Sequence, residues 1–130
     1  MGLRFARAFA IYSLISAVIH FTLETWYTIQ FGQSWLGLAP DYISVALMIL
    51  GGVLVIRDVK AVGVLCGAWG FAFCLNYRAW AWRLQEMLDG SSTTLIDNTM
   101  YVLSFTLILS CISFMISLLF CLPARNQSSQ

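Results

Sequence analysis

Charged side chains are scarce in this chain of 130 residues, because Asp, Glu, Lys and Arg make up 10% of it and hydrophobic residues make up 60%. Soluble domains carry about a quarter charged residues, so the composition excludes a soluble globular domain. The net charge is only +1, so there is no basic excess and no nucleic-acid partner is expected. The few charges separate long apolar segments, each close to the length of about 20 residues that a membrane-spanning helix needs. The chain is therefore predicted to be a multi-pass integral membrane protein in contact with membrane lipid.

Ligands for cofactors are also scarce. The chain has one histidine and four cysteines, and no two cysteines form a CxxC pair. A single histidine cannot supply both axial imidazoles of a b-type haem, and no CxxCH attachment motif is present. The cysteines all lie in apolar segments, where a thiol usually behaves as a small hydrophobic side chain: Cys66, Cys74, Cys111 and Cys121. No cofactor and no metal site are therefore expected.

The apolar segments predict an all-α fold: one transmembrane domain over residues 1–130, built as a four-helix bundle. The predicted spans are 5–30, 41–56, 61–83 and 95–122. Pro40 suits the first position of the second helix, where its missing N–H has no helical partner to lose. The short polar segment 57–60 indicates a tight turn between the second and third spans. Gly90 is expected to end the third helix in the left-handed conformation.

The placement of basic residues predicts the orientation, since Lys and Arg are enriched in cytoplasmic loops. With four spans in up-down-up-down order, five of the seven basic residues fall on one side: Arg4, Arg7, Arg57, Lys60 and Arg125. Arg78 and Arg83 fall on the other side. Both termini are therefore predicted to be cytoplasmic, in a plasma membrane or a bacterial inner membrane. Most Trp and Tyr residues lie toward the opposite, outer end, as in an interfacial belt or an aromatic-lined mouth.

Small residues on three spans predict where helices pack closely. The third span carries Gly63, Gly67, Gly70 and Cys74 on one helical face, and the next position on that face is Arg78. Arg78 is therefore predicted to point into the bundle. Matching strips occur on the second span, at Ser44, Met48, Gly51 and Gly52, and on the fourth, at Thr106, Ser110, Ser113, Ser117 and Cys121.

Charged residues within the spans define a candidate site. His20, Glu24 and Tyr27 share a face of the first span. Counted from the nearest cytoplasmic basic residue at about 1.5 Å per residue, Glu24 and Arg78 both lie about 26 Å deep, and Asp41 lies about 24 Å deep. Intramembrane charges need partners, so Arg78 is predicted to pair with one or both carboxylates. The candidates for ligand binding or proton coupling are His20, Glu24, Tyr27, Asp41, Asn76, Tyr77 and Arg78.

Several roles are compatible with such a site, including a purely structural ion pair that locks the bundle. The preferred function is binding of a lipid, a quinone-like or other amphiphilic small molecule, or a partner membrane subunit, in an outer polar and aromatic pocket. The first alternative is a proton-coupled small-molecule transporter acting as a homo-oligomer, because histidine exchanges protons near neutral pH. The second is a membrane-embedded enzyme with His20 and Glu24 as acid–base groups. Catalysis is less favoured, because no nucleophile or metal cluster accompanies them.

Overall fold

The computed structural model describes residues 3–32, 34–90 and 94–122, with only the backbone described for residues 94–97. These residues form four helices and a 3-10 turn, and no strand occurs among them. The helices are α1 (Leu3–Phe31), α2 (Trp35–Arg57), α3 (Val62–Leu88) and α4 (Thr94–Cys121), and the 3-10 turn is Val59–Ala61. All four helices are long and apolar enough to cross a membrane. The prediction of an all-α protein with four candidate spans is therefore confirmed.

The start of α2 differs from the prediction. Ser34 caps the helix: its hydroxyl accepts a hydrogen bond from the Gly37 N–H at 3.3 Å, and its carbonyl accepts one from the Leu38 N–H at 3.1 Å. The helix therefore begins at Trp35, and Pro40 lies inside it. The prediction that Pro40 occupies the first helical position is wrong, because the capping serine comes six residues before the proline.

The two turns around α3 follow the predicted pattern. Between α2 and α3, the side chain of Asp58 accepts a hydrogen bond from the Lys60 N–H at 3.0 Å, and its carbonyl accepts one from the Ala61 N–H at 3.0 Å. After α3, Gly90 has a φ of +76° and donates its N–H to the Met87 carbonyl at 3.2 Å. A positive φ strains any residue with a Cβ atom, so glycine suits this position.

The core lies where α1, α2 and α3 meet, and Trp69 of α3 is at its centre. The Trp69 side chain is 3% exposed, stacks on the ring of Tyr12 at 5.6 Å and donates its indole N–H to the Ser13 hydroxyl at 2.9 Å. Gly51 of α2 faces the backbone of α3, where a Cβ at position 51 would lie 2.8 Å from the Leu65 Cα. The packing strip predicted for α2 is buried as expected: Ser44, Met48, Gly51 and Gly52.

The predicted strip on α4 is buried at its centre, at Ser110, Ser113 and Ser117. Ser113 contacts α1 through a hydrogen bond of 3.0 Å with the Tyr12 hydroxyl. At the other end of α4, the Trp80 indole N–H of α3 donates to the Ser104 hydroxyl at 3.0 Å. Hydroxyl groups therefore join α4 to both α1 and α3.

An apolar cleft of about 350 Å³ separates α1 from α4 near the start of α1. Its walls include Phe5, Phe9 and Tyr12 of α1 and Ile112 and Ile116 of α4. None of the seven predicted site residues lines it, so the cleft is distinct from the candidate site.

Candidate functional site

Three ionisable side chains from α1 and α2 converge in the structure: His20, Glu24 and Asp41, together called the acidic site. One nitrogen or oxygen atom of each lies within 4.8 Å of the corresponding atoms of the other two. His20 Nε2 lies 3.5 Å from Asp41 Oδ1. The His20 and Asp41 side chains are 22% and 19% exposed, so the acidic site is partly shielded.

Local helix geometry explains this convergence. His20 and Glu24 are four residues apart on α1, which places both side chains on one face. Asp41 of α2 lies beside these two side chains because α1 and α2 pack closely against each other. Their close approach is seen at Gly52, where an added Cβ would lie 3.2 Å from the Ala10 carbonyl oxygen. The residue count predicts one depth for Glu24 and Asp41, and the structure brings them together.

Contacts between α1 and Tyr42 fix the two helices beside the acidic site. The Tyr42 hydroxyl and the Thr25 hydroxyl form a hydrogen bond of 2.9 Å. The Tyr42 ring lies 5.2 Å from the ring of Phe21. Because Tyr42 follows Asp41 directly, these contacts hold the Asp41 backbone against α1.

Two buried polar atoms at this level lack hydrogen-bond partners among the described residues. One is His20 Nε2, whose distance of 3.5 Å from Asp41 Oδ1 exceeds that of a good hydrogen bond. The other is the hydroxyl of Ser44, a fully buried residue three positions after Asp41 on α2. Buried polar atoms are nearly always paired, so this part of the bundle has unused capacity for a ligand.

Arg78 lies outside the acidic site. It is exposed, and no ion pair or hydrogen bond holds it within the described part of the chain. The predicted pairing with Glu24 or Asp41 is therefore not formed. The cause is the rotation of α3: Gly63 and Gly67 are exposed, and a Cβ added at either position would meet no atom within 4 Å. Of the other two members of the predicted strip, Cys74 is exposed, whereas Gly70 faces α4, where an added Cβ would lie 3.0 Å from the Phe114 ring. α3 instead packs through the opposite face, with Leu65, Ala68, Trp69 and Ala72.

Arg83, rather than Arg78, is the arginine of α3 that contacts α1. Its guanidinium donates to Glu86 Oε2 at 2.6 Å and to the Tyr27 hydroxyl at 3.1 Å. Neither contact was predicted from the sequence. The spacing of Arg83 and Glu86 by three residues on one helix was the available signal. Tyr27 therefore contacts Arg83 of α3 and takes no part in the convergence of the acidic site.

The remaining two candidates also lie apart from the acidic site. Asn76 donates its side-chain amide to the Ala72 carbonyl of its own helix at 3.0 Å. Tyr77 is 54% exposed, and its ring lies 6.3 Å from that of Trp80. Of the seven predicted site residues, the structure thus brings together three: His20, Glu24 and Asp41.

No protein-family model, curated protein or solved structure matches this chain. The four candidate membrane spans and the geometry of the acidic site are therefore the basis for assigning a function.

Proposed function

We propose that this protein is a small multi-pass membrane protein that binds a positively charged group at the acidic site. One observation carries the proposal: two carboxylates and an imidazole from adjacent apolar helices converge within 4.8 Å, and no Lys or Arg of the described chain pairs with them. If the ligand is an amphiphilic molecule, we therefore expect its head group to be positively charged. An inorganic cation satisfies the same chemistry.

Electrostatics favour a cation at this place. Two negative charges no more than 4.8 Å apart repel by at least about 3.5 kcal/mol at an effective dielectric constant of about 20. Ionised groups in a membrane span carry a further penalty for leaving water. Binding a proton or another cation removes both penalties. A negatively charged ligand would increase them, which argues against recognition of a phosphate or carboxylate head here.

The proposal includes an up-down-up-down topology with both termini cytoplasmic. Contacts between α1 and α2 support opposite directions, because Gly52 lies beside Ala10 whereas Asp41 lies beside His20. In this topology Arg57 and Lys60 share the cytoplasmic end with the start of α1, and the acidic site lies toward the outer end.

The binding proposal is tested by thermal unfolding of purified protein in detergent with octylamine, matched octanoic acid, or divalent chlorides. We expect at least one positively charged ligand to raise the unfolding temperature, and octanoate to leave it unchanged, because the site offers only acceptors for a cation. The Glu24→Gln/Asp41→Asn double variant should lose the response. Asp58→Asn, which changes a carboxylate in the turn after α2, should keep it. A double variant that responds like the parent, or a parent that responds to no cation, would overturn the proposal.

Proton-coupled transport by a homo-oligomer is the second candidate function. The acidic site supplies three groups that can exchange protons within one pair of spans. The exposed glycine face of α3 offers a surface on which another helix can approach closely, since nothing lies within 4 Å of a Cβ placed at Gly63 or Gly67. A proteoliposome assay should then show solute uptake driven by a pH gradient and abolished by Glu24→Gln. Uptake that survives this substitution would reject proton-coupled transport.

Acid–base catalysis by His20 and Glu24 stays a prediction.

A further inference from the structure

We propose that the acidic site binds a divalent transition-metal ion, with Zn²⁺ as the best fit, through His20 Nε2 and one carboxylate oxygen each from Glu24 and Asp41. The inference rests on the proposed function, that this site binds a cation, and it names the class of cation. It depends on the distances, the donor types and the charge of the site.

The separation of His20 and Asp41 suits two ligands of one metal ion. Zn–N and Zn–O bonds of about 2.1 Å in a tetrahedral site place neighbouring ligand atoms about 3.4 Å apart. His20 Nε2 and Asp41 Oδ1 are 3.5 Å apart, and no hydrogen bond occupies Nε2. The largest separation among the three ligand atoms, up to 4.8 Å, closes to the same value by a shift of a little over 1 Å in carboxylate side chains. The helices need not move for the three atoms to surround an ion.

The donor types discriminate between metals. Mg²⁺ and Ca²⁺ prefer oxygen ligands and higher coordination numbers, whereas an imidazole nitrogen favours Zn²⁺ and its transition-metal neighbours. Three protein ligands leave a fourth tetrahedral position for water or a substrate group. The buried hydroxyl of Ser44, three residues after Asp41 and without a partner, is a polar group available near this level of α2.

The charge of the ion also matches the site. A neutral imidazole with two carboxylates carries a charge of −2, and a divalent cation brings the total to zero. Neutrality favours burial in a membrane span, where uncompensated charge is expensive. Because α1 supplies two ligands and α2 the third, the ion would tether the two helices and stabilise the folded chain by linkage.

The test measures Zn²⁺ binding to the full chain in dodecyl maltoside after removal of metal with EDTA, by competition with a chromophoric zinc chelator. We expect one Zn²⁺ per chain, and a loss of affinity of at least 10-fold for His20→Gln and at least 100-fold for Glu24→Gln/Asp41→Asn. Asp58→Asn should leave the affinity unchanged. A variant with all four cysteines changed to serine should still bind, which separates this site from adventitious thiol ligation.

Co²⁺ provides a readout that needs no ligand substitution. Co²⁺ added to the unmodified chain should give the intense visible absorption of four-coordinate cobalt with nitrogen and oxygen ligands, and Zn²⁺ in equimolar amount should remove it. The inference is overturned if Zn²⁺ fails to bind, if the cysteine-free variant loses binding, or if the His20 and carboxylate variants bind as tightly as the parent. Stabilisation by octylamine without any Zn²⁺ binding would overturn the metal site and leave the proposed cation binding standing. Failure of both ligands would overturn both.

Discussion

Gly51→Ala is expected to lower the free energy of unfolding by about 2–3 kcal/mol, because the added methyl group meets the backbone of α3. A Cβ at position 51 would lie 2.8 Å from the Leu65 Cα and 3.0 Å from its amide nitrogen. Backbone atoms cannot rotate away as a side chain can, so α2 and α3 must separate. The loss is measurable by thermal or denaturant unfolding in detergent micelles.

Gly63→Ala is the matched control for this substitution. It makes the same chemical change on α3, where nothing lies within 4 Å of the added atom. Alanine is the better helix former by about 1 kcal/mol, so this variant should be as stable as the parent or slightly more stable. A Gly51→Ala protein as stable as the Gly63→Ala protein would contradict the close approach of α2 and α3 at Gly51.

Trp69→Ala is expected to lower the free energy of unfolding by about 3 kcal/mol or more, because it leaves a large cavity where α1 and α3 meet. The buried indole contacts the rings of Phe9 and Tyr12 and donates a hydrogen bond to Ser13. Because lipid is as apolar as the core, the loss of stability in a membrane comes from these lost packing contacts and not from exposure of apolar surface to water. Unfolding in detergent, monitored by helical circular dichroism, measures the loss.

Two further variants separate the contributions of Trp69. Trp69→Phe keeps a ring and removes the indole N–H, so it should lose only about 1–2 kcal/mol. Trp82→Ala removes an indole that is 62% exposed and should change stability by less than about 0.5 kcal/mol. A Trp69→Ala protein as stable as Trp82→Ala would contradict the central position of Trp69.

Much of the fold can be predicted from the sequence, because the length of each apolar segment determines whether it can form a membrane-spanning helix. Four apolar segments separated by the few charges predict four helices, and Asp58 and Gly90 mark the turns on either side of α3 by ordinary turn chemistry. The predicted start of α2 is wrong because Pro40 is a strong signal for a helix start, yet Ser34 caps the helix first. Pro40 therefore lies within the helix, where it has no N–H to donate to the carbonyl four residues earlier.

The rotation of α3 about its axis could not be read from the sequence. Small residues predict close packing, and the strips on α2 and α4 are buried in this way. On α3 only Gly70 of the predicted strip packs against a neighbouring helix, whereas Gly63 and Gly67 face outward and the bulky face with Leu65 and Trp69 packs inward. Packing of the Trp69 side chain against α1 sets the rotation of α3. The pattern of residues along α3 alone carries no information on these contacts with α1. Arg78 lies on the outward face for the same reason.

The depth of the site residues along the helices could be predicted from the sequence. Counting residues from the basic ends predicts one level for Glu24, Asp41 and Arg78, and the first two do meet. The count carries no information on which side of a helix faces its neighbour. It therefore could not separate a carboxylate–arginine pair from a pair of carboxylates beside a histidine, and these two arrangements attract ligands of opposite charge.

The central claim is that Glu24 and Asp41 interact directly and that Arg78 does not take part. A double-mutant cycle of Glu24→Gln and Asp41→Asn, in metal-free alkaline buffer with a chelator, tests it most directly. We predict that either substitution raises the free energy of unfolding, and that the two together raise it by at least about 1 kcal/mol less than their sum, because each alone relieves the same repulsion. The cycle of Glu24→Gln with Arg78→Gln should be additive within about 0.5 kcal/mol. Additivity of the two carboxylate substitutions, together with coupling between Glu24 and Arg78, would contradict this claim.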